Sequence, residues 1–249
     1  MKRLDQLVTA HVRSRTRAQR LIRQGFVTLH DGRDWRLATR PGEKLPESTP
    51  LRIAEAPEER YVSRAGLKLE ALLDTLAQRL DEQCILDIGQ STGGFTDCAL
   101  RFGASQVIGI EVGHAQLDAT LREDARVICL EGVNARHLPH ERLASLAPNG
   151  IDAVIMDVSF ISQTLILPEI ATLLRPGGRL YSLVKPQFEV GPGKVDDRGI
   201  VRDAALYDGV AATLRTACEA LGLTVHHWQE SPIQGGDGNR EFLLHAERR

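Results

Sequence analysis

The sequence predicts an α/β protein: a doubly wound, mostly parallel sheet preceded by a small α+β module. Three observations predict it. From residue 84 onward, short apolar runs alternate with helical spacings; a glycine-rich turn closes the first of those runs; and the charge changes sign near residue 57. Residues 1–57 carry 12 Lys+Arg against 6 Asp+Glu, net +6, whereas residues 58–249 carry 19 against 27, net −8. The charged linker Ala56-Pro57-Glu58-Glu59-Arg60 therefore marks the expected boundary between a module 1–57 and a body 58–249. At 249 residues, 42% hydrophobic and 26% charged, the chain is long and apolar enough to close a core without disulfides or metal, which excludes disorder and collagen. No apolar run reaches the ~18 residues of a membrane span, and Met1-Lys2-Arg3-Leu4-Asp5 lacks the apolar core of a secretory signal. A cytoplasmic protein with no membrane partner is expected. Cys84, Cys98, Cys129 and Cys218 lie 14, 31 and 89 positions apart, so no CxxC pair exists and no metal is expected.

In the module, Leu4, Leu7 and Val8 have helical spacing, Ser14 breaks it, and Ala18, Leu21 and Ile22 resume it until Gly25. Phe26–His30 reads as a strand, turned at Asp31-Gly32 into Trp35–Leu37, with Leu51–Ile53 as a further strand. Arg17, Arg20 and Arg23 step along the side of the second helix opposite the apolar residues, a stripe able to neutralise several phosphates. A solvated helix face is the alternative. Arg3-Leu4-Asp5, Ser14-Arg15, Leu21-Ile22 and Gly25-Phe26-Val27 together resemble the S-four-type RNA-binding domain, which implies structured RNA as partner; Arg3 and Arg15 in this module and Arg64 at the start of the body are further candidate RNA contacts.

The body begins with a helix at Ala65–Arg79. Strands are expected at Cys84–Ile88, Gln106–Ile110, Arg126–Leu130, Ile151–Asp157 and Arg179–Val184, and helices at Gly94–Phe102, Ala115–Leu121, Gln163–Leu174 and Asp203–Leu221. Leu223–Trp228 and Glu241–His245 close the sheet as a strand pair. Such alternation is the mark of a Rossmann-like sheet, whose ligands bind at the carboxyl ends of the strands.

The first strand runs into Asp87-Ile88-Gly89-Gln90-Ser91-Thr92-Gly93-Gly94-Phe95. A dinucleotide fingerprint fails here, because Ser91 stands where the second glycine belongs. Acid-x-Gly followed by Gly-Gly is the pattern of S-adenosylmethionine binding, and a carboxylate such as Asp87 suits that cofactor's ammonium and sulfonium. Glu111, with Val112, ends the second strand 22 positions after Gly89 and is placed to accept both ribose hydroxyls, while Asn134 follows the third strand and could meet the adenine edge. Helix capping is the alternative for Glu111, and a turn for Asn134.

Four charged residues stand at element ends: Lys68, Asp157, Lys185 and Glu241. In a doubly wound sheet Asp157 and Lys185 converge beside the reactive end of the cofactor. Methylating an alcohol requires its proton to leave, and a desolvated lysine beside a second cation gives up its own proton more readily than a hydrated one. Lys185 would serve as base, with Asp157 and Glu241 orienting the lysines; a buried salt-bridge network is the alternative. This set resembles the Lys-Asp-Lys-Glu tetrad of FtsJ-type ribose 2′-O-methyltransferases. Tyr61-Val62-Ser63-Arg64-Ala65-Gly66-Leu67-Lys68, Ser91-Thr92-Gly93-Gly94-Phe95-Thr96-Asp97, Asp157-Val158-Ser159-Phe160-Ile161-Ser162, Val184-Lys185-Pro186-Gln187-Phe188-Glu189 and Gly238-Asn239-Arg240-Glu241-Phe242 more closely resemble the TlyA family, also named hemolysins. The resemblance implies cytidine 2′-O-methylation in the ribosomal RNA of assembled subunits, the large one favoured because the chain begins without an extension. No motif in the sequence sets the oligomeric state, and a monomer is expected over an oligomer. A cytolysin and a catalytically inactive RNA binder are the alternatives. Gln90 departs from the family's small residue, its amide either altering the cofactor pocket or pointing to solvent. The loop Gly191–Gly199 reads equally as a lid or as a mobile connection.

Overall fold

The structure, a computed structural model, describes residues 1–12, 14–54, 60–236 and 238–249. The expected linker at 56–59 and the cation Arg13 lie outside the described residues. The chain forms two compact units, Met1–Arg60 and Tyr61–Arg249.

In the first unit, β1 (Lys2–Arg3) leads into α1 (Leu4–Thr9) and α2 (Arg15–Arg23), followed by β2 (Val27–His30), β3 (Trp35–Leu37), β4 (Lys44–Leu45) and β5 (Leu51–Ile53). Ser14 caps α2, its hydroxyl accepting from the Arg17 amide at 3.2 Å, which satisfies one of the helix's orphan donors. Ala18, Leu21 and Ile22 bury against Leu4, Val8, Val27 and Leu29 beneath the sheet β3-β2-β5. The pairing of β1 with β4 has no counterpart in the sequence pattern, since two-residue strands carry no periodicity. A buried carboxylate joins the helices: Asp5 is 0% exposed and accepts from Arg3 Nε at 3.0 Å, Arg15 Nε at 3.1 Å and Gln19 Nε2 at 2.8 Å. These partners hold its carboxyl far below the ordinary carboxylate range.

The second unit contains α3 (Ala65–Thr75), β6 (Cys84–Ile88), α4 (Gly94–Arg101), β7 (Gln106–Glu111), α5 (Ala119–Arg122), β8 (Val127–Glu131), α6 (His140–Leu146), β9 (Ile151–Met156), α7 (Leu167–Leu173), β10 (Leu174–Val184), α8 (Ala205–Ala220), β11 (Leu223–Glu230) and β12 (Phe242–Arg248). The sheet order is β11-β12-β10-β9-β6-β7-β8, mostly parallel, with β12 antiparallel to both its neighbours. Each face carries an apolar core: Leu69, Leu72, Phe95 and Leu183 lie in one, and Ile108, Ile166, Val184 and Leu214 in the other. Burying each such side chain contributes about 1.5–3 kcal/mol.

Several boundaries differ from those expected. Helix α3 stops at Thr75 rather than Arg79, because Ala77 adopts a left-handed φ of 50° and the Gln78 amide turns back to the Leu73 carbonyl at 2.9 Å. The helix expected at Ala115–Leu121 shrinks to Ala119–Arg122. Ala115 is itself left-handed, its amide donates to Glu131 Oε1, and Asp118 caps the helix by accepting from Thr120 N at 2.9 Å. The Gln163–Leu174 helix opens as a 3-10 turn at Gln163–Leu165 and becomes α-helical only at Leu167, next to Pro168. Helix α6 was not anticipated.

On the α3 side of the sheet, His245 stacks on Tyr181, 5.0 Å between ring centroids, and is 6% exposed. Neither of its ring nitrogens has a hydrogen-bond partner among the described residues. Burial, reinforced by His226, Arg179 and His227, lowers its pKa to about 4. An unfolded histidine titrates near ~6.5, so between that pH and 4 the unfolded chain binds the extra proton and the fold loses stability as pH falls, by up to about 3 kcal/mol. His245→Phe should flatten this loss while changing stability above pH 7 by less than about 1 kcal/mol; denaturant unfolding across pH measures both. In the first unit, Asp5→Ala should lower the unfolding midpoint by about 1–3 kcal/mol worth of stability, read calorimetrically, because three donors lose their acceptor.

Candidate active site

The ends of β6, β7, β9 and β10 build the site. Strands β6 and β9 run parallel with Ile88 opposite Met156, and the Asp157 amide donates to the Ile88 carbonyl at 3.0 Å. This register drives Gly89 against Asp157. A Cβ on Gly89 would lie 2.5 Å from the Asp157 carbonyl oxygen, and φ is +82°, so the turn requires glycine twice over. Ser91, left-handed at φ 48° without being glycine, is held by its amide, which donates to Glu111 Oε2 at 2.8 Å. Glu111, 8% exposed, accepts from Gly113 N as well, at 2.7 Å.

Between these ends lies a cavity of about 440 Å³. Ile110, Val133, Ile161 and Ile166 supply apolar walls, while Glu111 and Asp157 supply its polar ends. Gly89, Ser91, Val112 and Asn134 line it too, so the loops singled out in the sequence converge. The Asn134 side chain accepts from Arg136 N at 3.0 Å. A recess of about 70 Å³ shares Gly89, Ser91 and Asp157 and adds Thr92, Gly94 and Phe95. Gly93 faces elsewhere: a Cβ there would strike the Leu121 and Leu117 side chains, so this glycine fits the turn against α5 and its neighbouring loop.

Asp87 sits beneath the turn rather than on the cavity wall. It is 0% exposed, Thr96 Oγ1 donates to its Oδ2 at 2.6 Å, and its Oδ1 has no partner among the described residues. Burial pushes it up to about 7; the Thr96 hydrogen bond opposes the shift and the Asp157 charge adds to it. Gln90 does not point to solvent. It is 3% exposed and turns inward to donate from Nε2 to Thr96 Oγ1 at 2.9 Å, lying over Gly109, where a Cβ would come within 2.0 Å of its amide. Gln90 fits because position 109 has no side chain.

The four charged residues form two ion pairs. Lys68 Nζ, on α3, lies 2.5 Å from Glu241 Oε2, both side chains nearly inaccessible. Lys185 Nζ lies 2.6 Å from Asp157 Oδ1. Val184 pairs with Phe242 across the β10–β12 ladder, so Lys185 and Glu241 leave the sheet at adjacent positions. Each lysine thus has its own carboxylate. Lys185 Nζ also donates to Ser159 Oγ at 2.9 Å.

Some residues of the site carry no chemical signature in the sequence. Glu189 accepts from Ser162 Oγ at 2.6 Å and from Gln163 N at 2.9 Å, and burial raises its pKa. Gln163 bonds the Leu183 carbonyl at 2.7 Å and Ser182 Oγ at 2.8 Å. Asn239, 2% exposed, ties the 191–199 loop to the start of β12, accepting from Val201 N at 3.1 Å and donating to Gly199 O at 3.0 Å. The spacing of Ser162-Gln163 after the Asp157 strand end, and of Glu189 after Lys185, is the signal that could have found the first two.

Residues 61–248 match the family described as FtsJ-like methyltransferase. The chain belongs to that family. Among its relatives, YqxC of Bacillus subtilis, whose name assigns it provisionally to the rRNA methyltransferases, is 42% identical over 246 residues, 98% of this chain and 85% of that one. The 16S/23S rRNA (cytidine-2'-O)-methyltransferase TlyA of Mycobacterium tuberculosis is 36% identical over 232 residues, 93% of this chain and 84% of its own. A Streptococcus thermophilus protein solved under the hemolysin name superposes with a TM-score of 0.74 at 38% identity, covering 99% of this chain and 88% of its own. In this FtsJ-like chain no helix among the described residues is long and apolar enough to cross a membrane, and no group of three or more His, Cys, Asp or Glu among them could hold a metal ion.

The cations singled out for RNA fall into two groups. Arg3 and Arg15 are engaged with Asp5. Arg20 and Arg23 are exposed and Arg17 half-buried on α2, and Arg64 is exposed at the start of α3.

The Gln90–Gly109 contact makes a double-variant prediction. Gly109→Ala should destabilise the FtsJ-like unit by about 1–3 kcal/mol through overpacking, and Gln90→Ala in the same chain should recover most of that loss. Urea denaturation of the four chains of the cycle measures the coupling.

Proposed function

We propose that this chain transfers a methyl group from S-adenosylmethionine to the 2′-hydroxyl of a cytidine in ribosomal RNA. The two lysine–carboxylate pairs at the strand ends, one of them on the cavity wall through Asp157, carry the reading. The cavity suits the cofactor: apolar walls for a purine, a glycine turn drawn close against Asp157, and the Glu111 and Asp157 carboxylates on its lining. Glu111 would hold the ribose hydroxyls, Asn134 and Val112 would border the adenine, and Gly89, Ser91, Thr92 and Gly94 would receive the amino-acid end beside Asp157. When bound, the cofactor supplies an electrophilic methyl carbon on a sulfonium.

The chain supplies the rest. Lys185, paired to Asp157, accepts the proton of the attacking hydroxyl, and the Lys68–Glu241 pair sets the charge beside it without adding net charge to the cleft. The first unit, proposed as an S-four-type RNA-binding domain bounded near residue 57, meets RNA phosphates through Arg17, Arg20 and Arg23 on α2, with Arg64 on the second unit. Arg3 and Arg15 shape that surface through Asp5. The name of the Mycobacterium tuberculosis relative covers both ribosomal RNAs, so both subunits are tested, the large one being the favoured substrate. The reading places the protein in the cytoplasm, acting as a monomer.

The test is transfer of labelled methyl from S-adenosylmethionine to separated ribosomal subunits that lack the modification. Label on ribose is expected, reduced at least about 100-fold in Lys185→Ala while cofactor affinity changes by less than a few fold. Label that persists in Lys185→Ala would remove the lysine from its assigned role, and no label on either subunit would remove the substrate. Replacing Arg17, Arg20 and Arg23 by Gln should weaken subunit binding and reduce its salt dependence by about 2 in logarithmic slope, leaving cofactor affinity unchanged.

A further inference from the structure

The Lys185 amine has two fixed partners, and both belong to one short stretch of chain: it forms an ion pair with Asp157 Oδ1 at 2.6 Å and donates a hydrogen bond to Ser159 Oγ at 2.9 Å. We infer that Ser159 is a positioning residue for Lys185: by accepting one N–H of an amine already held against the Asp157 carboxylate, its hydroxyl turns the lone pair of the deprotonated amine toward the substrate oxygen. The inference rests on Lys185 being the base.

A neutral primary amine has two N–H bonds, one bond to carbon and one lone pair, arranged tetrahedrally. An ion pair alone is not directional, so the amine beside Asp157 rotates about Cε–Nζ and the lone pair points productively for only part of the time. A hydrogen-bond acceptor at a fixed place, Ser159 Oγ, removes that freedom. The proton leaving the 2′-hydroxyl then ends on Nζ, as the hydroxyl oxygen bonds the methyl carbon and the old carbon–sulfur bond leaves its electron pair on sulfur. The resulting ammonium keeps its hydrogen bond to Ser159 and its ion pair with Asp157 and gains a third N–H directed at the cleft.

Several contacts hold Ser159 in place. Val158 before it is buried. After it, Phe160 adopts φ 64°, a left-handed conformation that a bulky residue avoids, so the geometry of this loop is imposed from outside. Ser162 and Gln163 impose it, both bonded to Glu189 beyond Lys185. Gln163 also bonds Leu183 O and Ser182 Oγ on β10 itself, so the strand that ends in the lysine and the loop that carries the serine are bolted into one piece. Phe160 and Phe188 add a ring contact of 5.1 Å across the same junction. The charged groups on the elements beside the amine are Asp157, just past β9, and Glu241, just before β12 and next to Lys185 by register, itself paired with Lys68 from α3; Glu189 is committed to Ser162 and Gln163.

Ser159→Ala in the full chain separates this role from a merely structural one. Methyl transfer to ribosomal subunits should fall roughly tenfold in kcat, the worth of one hydrogen bond to a charged group, with KM for the subunit and cofactor Kd within about twofold. Because Ser159 stabilises the ammonium, its loss should also move the acidic limb of the kcat–pH profile to lower pH. A wild-type kcat, or a lowered kcat with an unmoved acidic limb, would overturn the inference. Lys185→Ala run alongside tells the two failures apart. An active Lys185→Ala overturns the proposed base, whereas an inactive one beside a wild-type Ser159→Ala overturns only the role of the serine.

Discussion

The parallel register of β6 against β9 is the constraint on which the rest of the site depends. It places a glycine turn in contact with the carbonyl of Asp157, closer than any side chain would permit. Because the two strands lie side by side in the middle of the sheet, the glycine turn and the carboxylate that pairs with Lys185 are a single rigid junction. A shift of one residue would move Asp157 away from Lys185 and open the turn together. The neighbouring strands extend the same logic. β7 brings Glu111 to the Ser91 amide, and the antiparallel β12 delivers Glu241 next to Lys185 instead of at the opposite edge of the sheet.

The polar groups of this unit divide by purpose. At the strand ends, two cations and two anions form two close ion pairs, so these four groups add no net charge there but set up strong, oriented local fields. Beneath the turn, Asp87, Thr96 and Gln90 form an inner chain of hydrogen bonds that supports the backbone from behind. The first unit repeats that second device on a smaller scale. Its only acid in the first thirty residues is spent inside, holding two helices by way of arginines that face outward.

The sheet and the ends of its strands were legible because parallel strands are apolar runs and charge at their ends has no structural excuse. The alternation gave all but the shortest strands, and Asp157 and Lys185 stood out as charges closing apolar runs, Glu241 as one opening the last strand and Lys68 as one on the helix before the sheet. What stayed hidden follows local rules. Helix α6 is only seven residues, about two turns, with Leu143 and Leu146 set among polar residues, too sparse a stripe to separate from a loop. Leu117 and Leu121 mimic a helical face across a segment whose backbone is left-handed at Ala115. Ser159 and Glu189 act through geometry: a serine in a loop and an acid after a 3-10 turn acquire meaning only when the fold sets them beside a lysine and an amide. Asp87 was legible as a motif residue, yet its depth was not.

The fit of Gln90 over Gly109 also constrains the order in which related chains can change. A lineage that first placed a methyl group at position 109 would pass through an ancestor whose interior is overfilled and whose Thr96 has lost a donor. A lineage that first shortened position 90 would pass through one with an empty pocket in a soft place, the milder of the two defects. Exchange between the two solutions is therefore directional, leaving the glutamine state through its side chain and entering it through the glycine.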